Sequence, residues 1–194
     1  MKTAALANFT LASAMAVSAQ NYQSKPFNIQ IISEDANVNR QYIGACHSGA
    51  AIESLCLTTR PVTMHLNSTS ERDPDGGLLT WLLPSTPVPD PPVDSAMRLV
   101  LNPSSNVAQA VFYPGPSGGE YVKFTDDKLV LLSNVDDTKV PIEAGNTQAF
   151  QRWFICDSYY SSYRYKTLSW VYGNAPPQNP TCVKVSVQRN YEEA

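Results

Sequence analysis

The stretch ACHSGAAIESLC, residues 45–56, contains half of the four cysteines of the chain and one of its two histidines. It also holds Ser48, Ser54 and Glu53, so its residue types match those of a Ser–His–acid hydrolase. The serines lack the G-x-S-x-G turn that presents the nucleophile in one large class of hydrolases. We therefore interpret the stretch as a disulfide-closed scaffold without catalytic residues, and keep an extracellular hydrolase as the alternative.

Other catalytic and metal-binding patterns are weaker. The two histidines, His47 and His65, are distant in sequence and the cysteines are expected to be oxidised, so we predict no metal site and no cofactor. The aspartates of DPDGG (residues 73–77) fit turn chemistry better than a calcium loop. Three glutamates are available for glycoside hydrolysis, although no spacing marks two of them as facing each other: Glu53, Glu120 and Glu143.

The cysteine count points to an oxidising compartment. An even number of cysteines in a secreted chain indicates two disulfides, and four cysteines allow three connectivities. We favour the local pairs Cys46–Cys56 and Cys156–Cys182, because each pair brackets one apparent hairpin or loop.

The beginning of the chain resembles a secretory signal. Lys2 precedes a run of small and apolar residues, and Val17-Ser18-Ala19 fits a signal-peptidase site, so residues 1–19 are predicted to be a signal peptide. Residues 20–194 then form a single secreted domain. The sequon at Asn67 predicts a surface turn that carries a glycan.

The charge balance limits the classes of partner. The chain has 14 basic and 17 acidic residues, a net charge of −3. This balance argues against nucleic acid and against an anionic membrane surface, because both select for basic patches. We expect a monomer.

Helical periodicity is almost absent, whereas short β-branched and aromatic runs recur between turn signals. These runs predict an all-β domain of about a dozen short strands: 27–33, 41–46, 51–58, 62–66, 78–83, 97–101, 108–113, 121–124, 128–132, 152–156, 167–172 and 182–188. Three hairpins of similar form favour a β-trefoil, with a two-sheet β-sandwich as the alternative: residues 64–83, 122–132 and 167–187. The proline-rich segment 84–92 is expected to be a surface loop within one domain.

Aromatic residues are densest in YYSSYRYKTLSWVY, residues 159–172, which contains five of the ten tyrosines. We predict that four of them lie in or beside a loop that connects two strands, where their rings form a platform for a polysaccharide or a protein: Tyr159, Tyr160, Tyr163 and Tyr165. The alternative is cross-strand aromatic packing within the sheet.

Five segments carry a family resemblance: ACHSGAAIESLCL, GLLTWLL, SSNVAQAVFYPG, RWFICDSYYSSYRYKTLSWVYG and NPTCVKVSVQR. Together they resemble a family of small, secreted, cysteine-containing proteins of filamentous fungi whose function is uncharacterised. More distantly, the layout is similar to that of fungal cell-wall and IgE-binding secreted proteins. The resemblance implies a fungal source and an extracellular or wall-associated protein. We therefore expect a non-catalytic binding protein whose ligand is a wall glycan or a host protein, in keeping with a role as an effector.

Overall fold

A computed structural model describes residues 22–84 and 92–192. These residues form fifteen β-strands and no helix: β1 (Tyr22–Gln23), β2 (Phe27–Ile32), β3 (Tyr42–Gly49), β4 (Ile52–Thr58), β5 (His65–Ser68), β6 (Gly76–Leu83), β7 (Val93–Leu101), β8 (Val107–Pro114), β9 (Tyr121–Thr125), β10 (Lys128–Asp136), β11 (Glu143–Phe150), β12 (Trp153–Tyr160), β13 (Tyr163–Val171), β14 (Val183–Lys184) and β15 (Ser186–Tyr191). The all-β class is confirmed. The predicted signal peptide and most of the proline-rich segment lie outside the described residues.

Ten of the strands close into an antiparallel barrel. Their order around the ring is β2, β3, β4, β13, β8, β7, β6, β9, β10 and β15, and β15 pairs with β2 to complete it. Strand β4 also pairs directly with β8, so β4, β8 and β13 meet at a three-way junction. Strands β1, β5, β11, β12 and β14 pair outside the ring.

The observed ring is not specifically a β-trefoil or a two-sheet sandwich. Two of the three hairpins that suggested a trefoil do form, as β5–β6 and β9–β10. The third does not, because β13 pairs with β12, β8 and β4, whereas β15 pairs with β2 and β10. The threefold repeat is therefore absent, and closure of the ring removes the two separate sheets that a sandwich requires.

The barrel interior holds one large hydrophobic core. Alternate residues of β2, namely Phe27, Ile29 and Ile31, are fully buried, as expected for a strand with one face toward the core. Trp153 and Trp170 pack edge to face with ring centroids 4.8 Å apart. The indole nitrogen of Trp153 donates to the carbonyl oxygen of Leu129 at 2.9 Å, which satisfies the polar atom of this buried ring.

Each of the twelve predicted strands overlaps an observed one, but β1 and β11 were not predicted, β14 and β15 were predicted as one strand over 182–188, and one connection was predicted wrongly. Strand β1 has only two residues, and β11 is exposed along nearly its whole length, so neither has an apolar alternation to reveal it. The predicted loop around Tyr159–Tyr165 is in fact a continuous β12–β13 hairpin. Its turn is Ser161-Ser162, where Ser161 has a φ of 55°.

Both expected disulfides are present. Cys46 is bonded to Cys56 across the β3–β4 hairpin, with Cα atoms 5.9 Å apart. Cys156 of β12 is bonded to Cys182, which precedes β14, with Cα atoms 4.1 Å apart. The two disulfides are consistent with an extracellular protein. Within residues 22–84 and 92–192, the chain has no helix of the length and apolarity needed to cross a membrane.

Candidate functional site

The β12–β13 hairpin separates the four predicted tyrosines onto two faces. Tyr160 lies opposite Tyr163, and Ser158 lies opposite Tyr165, so these three tyrosines share one face of the hairpin. Tyr159 lies opposite Arg164 on the other face. The single four-ring platform that we predicted is therefore wrong, because strand alternation divides its members.

A groove of about 610 Å³ lies beside the end of this hairpin. Three segments surround it: the β7–β8 connection, the end of β12, and the chain that leads to Cys182. Amides, hydroxyls and two tyrosines dominate its lining: Val100, Leu101, Asn102, Pro103, Ser104, Ser105, Val107, Gln109, Asp157, Ser158, Tyr159, Tyr160, Ser161, Gln178, Asn179 and Pro180.

The floor of the groove is the outward-facing side of β8. Ala108, Ala110 and Phe112 are fully buried in the barrel core. Because successive residues of a strand point to opposite faces, Val107 and Gln109 face outward and lie beneath the groove. Both are at most 7% exposed, so the floor is already largely desolvated.

Two neighbouring tyrosines of the groove wall have different environments. The side chain of Tyr159 is 71% exposed, the largest value among the described tyrosines. The phenol oxygen of Tyr160 forms a hydrogen bond with that of Tyr113 on β8. Burial, together with this bond, raises the pKa of Tyr160 to about 12. Tyr160 therefore anchors the wall through this hydrogen bond, while the ring of Tyr159 is exposed at the edge of the groove.

The other two walls are held by side-chain amides. In the β7–β8 connection, Asn102 Oδ1 accepts hydrogen bonds from the backbone nitrogen and the hydroxyl of Ser104, at 3.0 and 2.7 Å. Asn106 Oδ1 accepts from the backbone nitrogen of Gln178 at 2.9 Å. Asn179 Nδ2 donates to the carbonyl oxygen of Asp157 at 2.9 Å. The groove is thus a preformed site, since its edges are fixed by bonds within the protein.

The groove has almost no net charge. Asp157 is the one charged residue in its described lining, and its carboxylate is paired with Arg164 Nη2 at 2.9 Å. No lysine, arginine, histidine or glutamate is among the described residues that line it. The chemistry offered to a ligand is therefore hydrogen bonding by neutral groups and contact with aromatic rings.

A buried chain of hydrogen bonds, called the relay below, runs from Gln109 at the floor of the groove through Ser54 and Ser48 to the β3–β4 hairpin, which the Cys46–Cys56 disulfide closes. Gln109 Nε2 lies 2.7 Å from Ser54 Oγ, which lies 2.5 Å from Ser48 Oγ. Ser48 Oγ in turn donates to the carbonyl oxygen of Cys46 at 3.1 Å. Ser48 and Ser54 are fully buried, so the two serines that resembled nucleophiles are structural hydrogen-bonding groups in this fold.

His47 lies outside the groove, and its side chain forms no hydrogen bond with Ser48 or Ser54. Its Nδ1 is 3.3 Å from Glu53 Oε1, and its ring packs edge to face on Tyr163 with centroids 5.3 Å apart. The phenol of Tyr165 donates to the carbonyl oxygen of His47 at 2.9 Å. Tyr163 and Tyr165 are stacked together here, so two of the four predicted binding tyrosines support the β3–β4 hairpin.

The other residues considered for catalysis or metal binding do not come together in the fold. Glu120 is half-buried, and its burial raises the pKa of its carboxyl group, whereas Glu143 is exposed on β11. Among residues 22–84 and 92–192, no three His, Cys, Asp or Glu side chains are grouped so that they could hold a metal ion.

Asn67 is not at the surface as the sequon suggested. The residue is only 5% exposed, and its Nδ2 donates to Asp94 Oδ2 at 3.1 Å. Its Oδ1 accepts from Gln23 Nε2 at 3.0 Å. The amide nitrogen that a glycan needs is therefore engaged in the folded chain.

Sequence reasoning did not identify the polar residues of the groove. Gln109 occupies an outward-facing position of a strand whose other residues are mostly apolar, and Asn102 and Asn179 lie in connections that resemble ordinary turns. The isolated glutamine within AQAVFY was the available signal, because a polar residue flanked by apolar ones in a buried strand requires a partner.

Comparison with known proteins places the chain in an uncharacterised family. The family model described as a domain of unknown function (DUF7907) matches residues 24–191, and the chain therefore belongs to that family. No curated protein and no solved structure matches it.

Proposed function

We propose that this member of the family is a secreted, non-catalytic binding protein that holds a cell-wall glycan in the groove beside the β12–β13 hairpin. The observation that carries the proposal is the pairing of an exposed ring with a preformed polar groove. Tyr159 is 71% exposed at the edge of a groove of about 610 Å³. An exposed tyrosine offers a flat apolar face with a hydroxyl handle, which suits the faces and hydroxyls of a sugar ring.

The composition of the groove supports a glycan over a charged ligand. Its polar groups are amides and hydroxyls, which can donate to and accept from the hydroxyls of a sugar. A nucleic acid or a polyanion requires basic side chains, and the described lining has none. The alternative ligand of this proposed binding protein is a host protein. As an effector, the chain would contact such a protein through the same exposed ring of Tyr159.

Secretion and attachment to a fungal wall belong to this proposal. The two disulfides and the signal-like residues 1–19 support passage through an oxidising compartment. The resemblance to secreted fungal proteins supports the source and the wall association.

The test is retention of the purified protein on insoluble wall polysaccharides. Wild-type protein should bind at least one of chitin, β-1,3-glucan and mannan, and Tyr159→Ala should weaken that binding about tenfold, as expected for an aromatic anchor. Tyr22→Ala is the matched control, because Tyr22 is 41% exposed and does not line the groove. Equal retention of wild type and Tyr159→Ala, or loss with Tyr22→Ala alone, would contradict the proposed site.

A further inference from the structure

We infer that Gln109 Oε1, at the floor of the groove, accepts a hydrogen bond from a hydroxyl group of a neutral sugar. The orientation of the Gln109 amide is set by Ser54 and Ser48. The inference rests on the proposed function and names both a specificity residue and the ligand chemistry that it selects.

The direction of the relay follows from counting protons. The carbonyl oxygen of Cys46 can only accept, so all three contacts are hydrogen bonds at the same time only when the hydroxyl proton of Ser48 is directed to that oxygen, over 3.1 Å. Ser54 must then donate its own proton to Ser48 Oγ, 2.5 Å away. A hydroxyl has one proton, so Ser54 can only accept from its third neighbour, Gln109.

This direction fixes which end of the Gln109 amide faces the ligand. The atom that points to Ser54 must be the donor Nε2, at 2.7 Å, and the carbonyl oxygen Oε1 is directed away from Ser54. Gln109 lines the groove, and Oε1 accepts no hydrogen bond from the described residues. An acceptor at the floor requires a ligand that donates there, and a sugar hydroxyl does so.

The charge of the groove narrows the ligand to a neutral glycan. The lone charged residue in the described lining, Asp157, is paired with Arg164 at 2.9 Å, and no basic side chain is among the described lining residues to bind a sugar carboxylate. A uronate placed near the Gln109 carbonyl oxygen would be desolvated with no counter-charge. Hexose or N-acetylhexosamine polymers therefore fit, and polyuronates do not.

The first experiment measures binding of chitohexaose, laminarihexaose, mannohexaose and hexagalacturonate by titration calorimetry. Wild type should bind at least one of the three neutral hexasaccharides at least tenfold more tightly than hexagalacturonate. Equal or tighter binding of hexagalacturonate would overturn the inference while leaving a glycan-binding function. Failure to bind any of the four would overturn both.

The second experiment uses the hexasaccharide that wild type binds best. It tests whether Gln109 presents a hydrogen-bond acceptor or a hydrogen-bond donor to the ligand. Gln109→Met removes the acceptor and should weaken binding about tenfold, the value of one satisfied hydrogen bond in a desolvated site. In Gln109→Glu the side chain is buried without a counter-charge, which favours the neutral carboxylic acid; its hydroxyl then donates to Ser54 in place of Nε2 and its carbonyl oxygen still faces the ligand, so it should bind within about threefold of wild type. Equal losses in both variants would show that the amide nitrogen faces the ligand. Gln148→Met on exposed β11 is the control.

The relay itself is tested by Ser48→Ala, which also keeps the inference falsifiable if a Gln109 variant fails to fold. Without Ser48, the Ser54 hydroxyl is free to donate to Gln109, so the amide can rotate and present Nε2 at the floor. The preference for the neutral hexasaccharide over hexagalacturonate should then shrink severalfold, since a donor tolerates a carboxylate. An unchanged preference in a folded Ser48→Ala protein, checked by thermal melting, would show that the relay has no part in orienting the amide.

Discussion

The phenol oxygen of Tyr160 forms a hydrogen bond with the phenol oxygen of Tyr113, and this bond joins the end of the β12–β13 hairpin to the outer face of the barrel. The ring of Tyr113 is covered by the guanidinium group of Arg98, whose central carbon is 4.5 Å from the ring centroid. Tyr159, the preceding residue, is directed to solvent. Two consecutive tyrosines of one wall therefore have different environments: Tyr160 holds the hairpin to the barrel, and Tyr159 is exposed at the edge of the groove.

This difference between Tyr159 and Tyr160 predicts different effects of the two tyrosines on stability. Tyr160→Phe should lower the free energy of unfolding by about 1 kcal/mol, because it leaves the partly buried Tyr113 hydroxyl without its partner. Tyr159→Phe should change it by less than about 0.5 kcal/mol, as is usual for an exposed position. Urea denaturation measures both. A larger loss for Tyr159→Phe than for Tyr160→Phe would show that the roles are reversed.

The same bond predicts a sensitivity to alkaline pH. Burial, and then the bond to Tyr113, raises the pKa of Tyr160 from 10.0 to about 12 in the folded protein. Between these values the folded state keeps a proton that the unfolded state has lost, so this stabilisation is complete below pH 10 and is lost as the pH rises toward 12. The free energy of unfolding of wild type should therefore fall more steeply over this range than that of Tyr160→Phe. Parallel pH profiles would contradict the assignment.

The two disulfides should differ in their contribution to stability. The Cys46–Cys56 bond closes a separation of 10 residues, and the Cys156–Cys182 bond one of 26. The loop-entropy relation gives losses of about 2.7 and about 3.5 kcal/mol when each pair is replaced by serine. Denaturation of the Cys46→Ser/Cys56→Ser and Cys156→Ser/Cys182→Ser proteins checks the order. The second replacement should also weaken glycan binding, because Cys182 follows the groove residues Asn179 and Pro180.

The buried sequon predicts an unmodified Asn67 in the folded, secreted protein. Thr69→Ala removes the sequon and leaves the bonds of Asn67 to Asp94 and Gln23 intact, so electrophoretic mobility after secretion from a eukaryotic host should not change. Asn67→Asp places a second carboxylate against Asp94 and should cost about 1–3 kcal/mol of folding free energy. A mobility shift that disappears in Thr69→Ala would show instead that the site is used.

Local features of the sequence were sufficient for much of the fold. The alternation of Phe27, Ile29 and Ile31 predicted β2, because a strand with one buried face must alternate. The local disulfide pairs were predictable for a related reason, since each pair brackets a short segment whose ends lie close together. Strand β11 was missed because nearly all of its residues are exposed and no alternation marks it.

Which strands become neighbours was decided by tertiary structure alone. The pairing of β2 with β15, at opposite ends of the chain, and of β8 with β13 depends on closing the barrel over a shared core, and no local pattern encodes those partners. The same closure placed Gln109 beneath the groove and divided the tyrosines, because the register of each strand determines the face on which its side chains lie. Residue types thus determined an all-β, disulfide-linked chain rich in tyrosine. The groove exists only where segments more than 50 residues apart in sequence, around Asn102 and Tyr159, meet on the outside of the barrel.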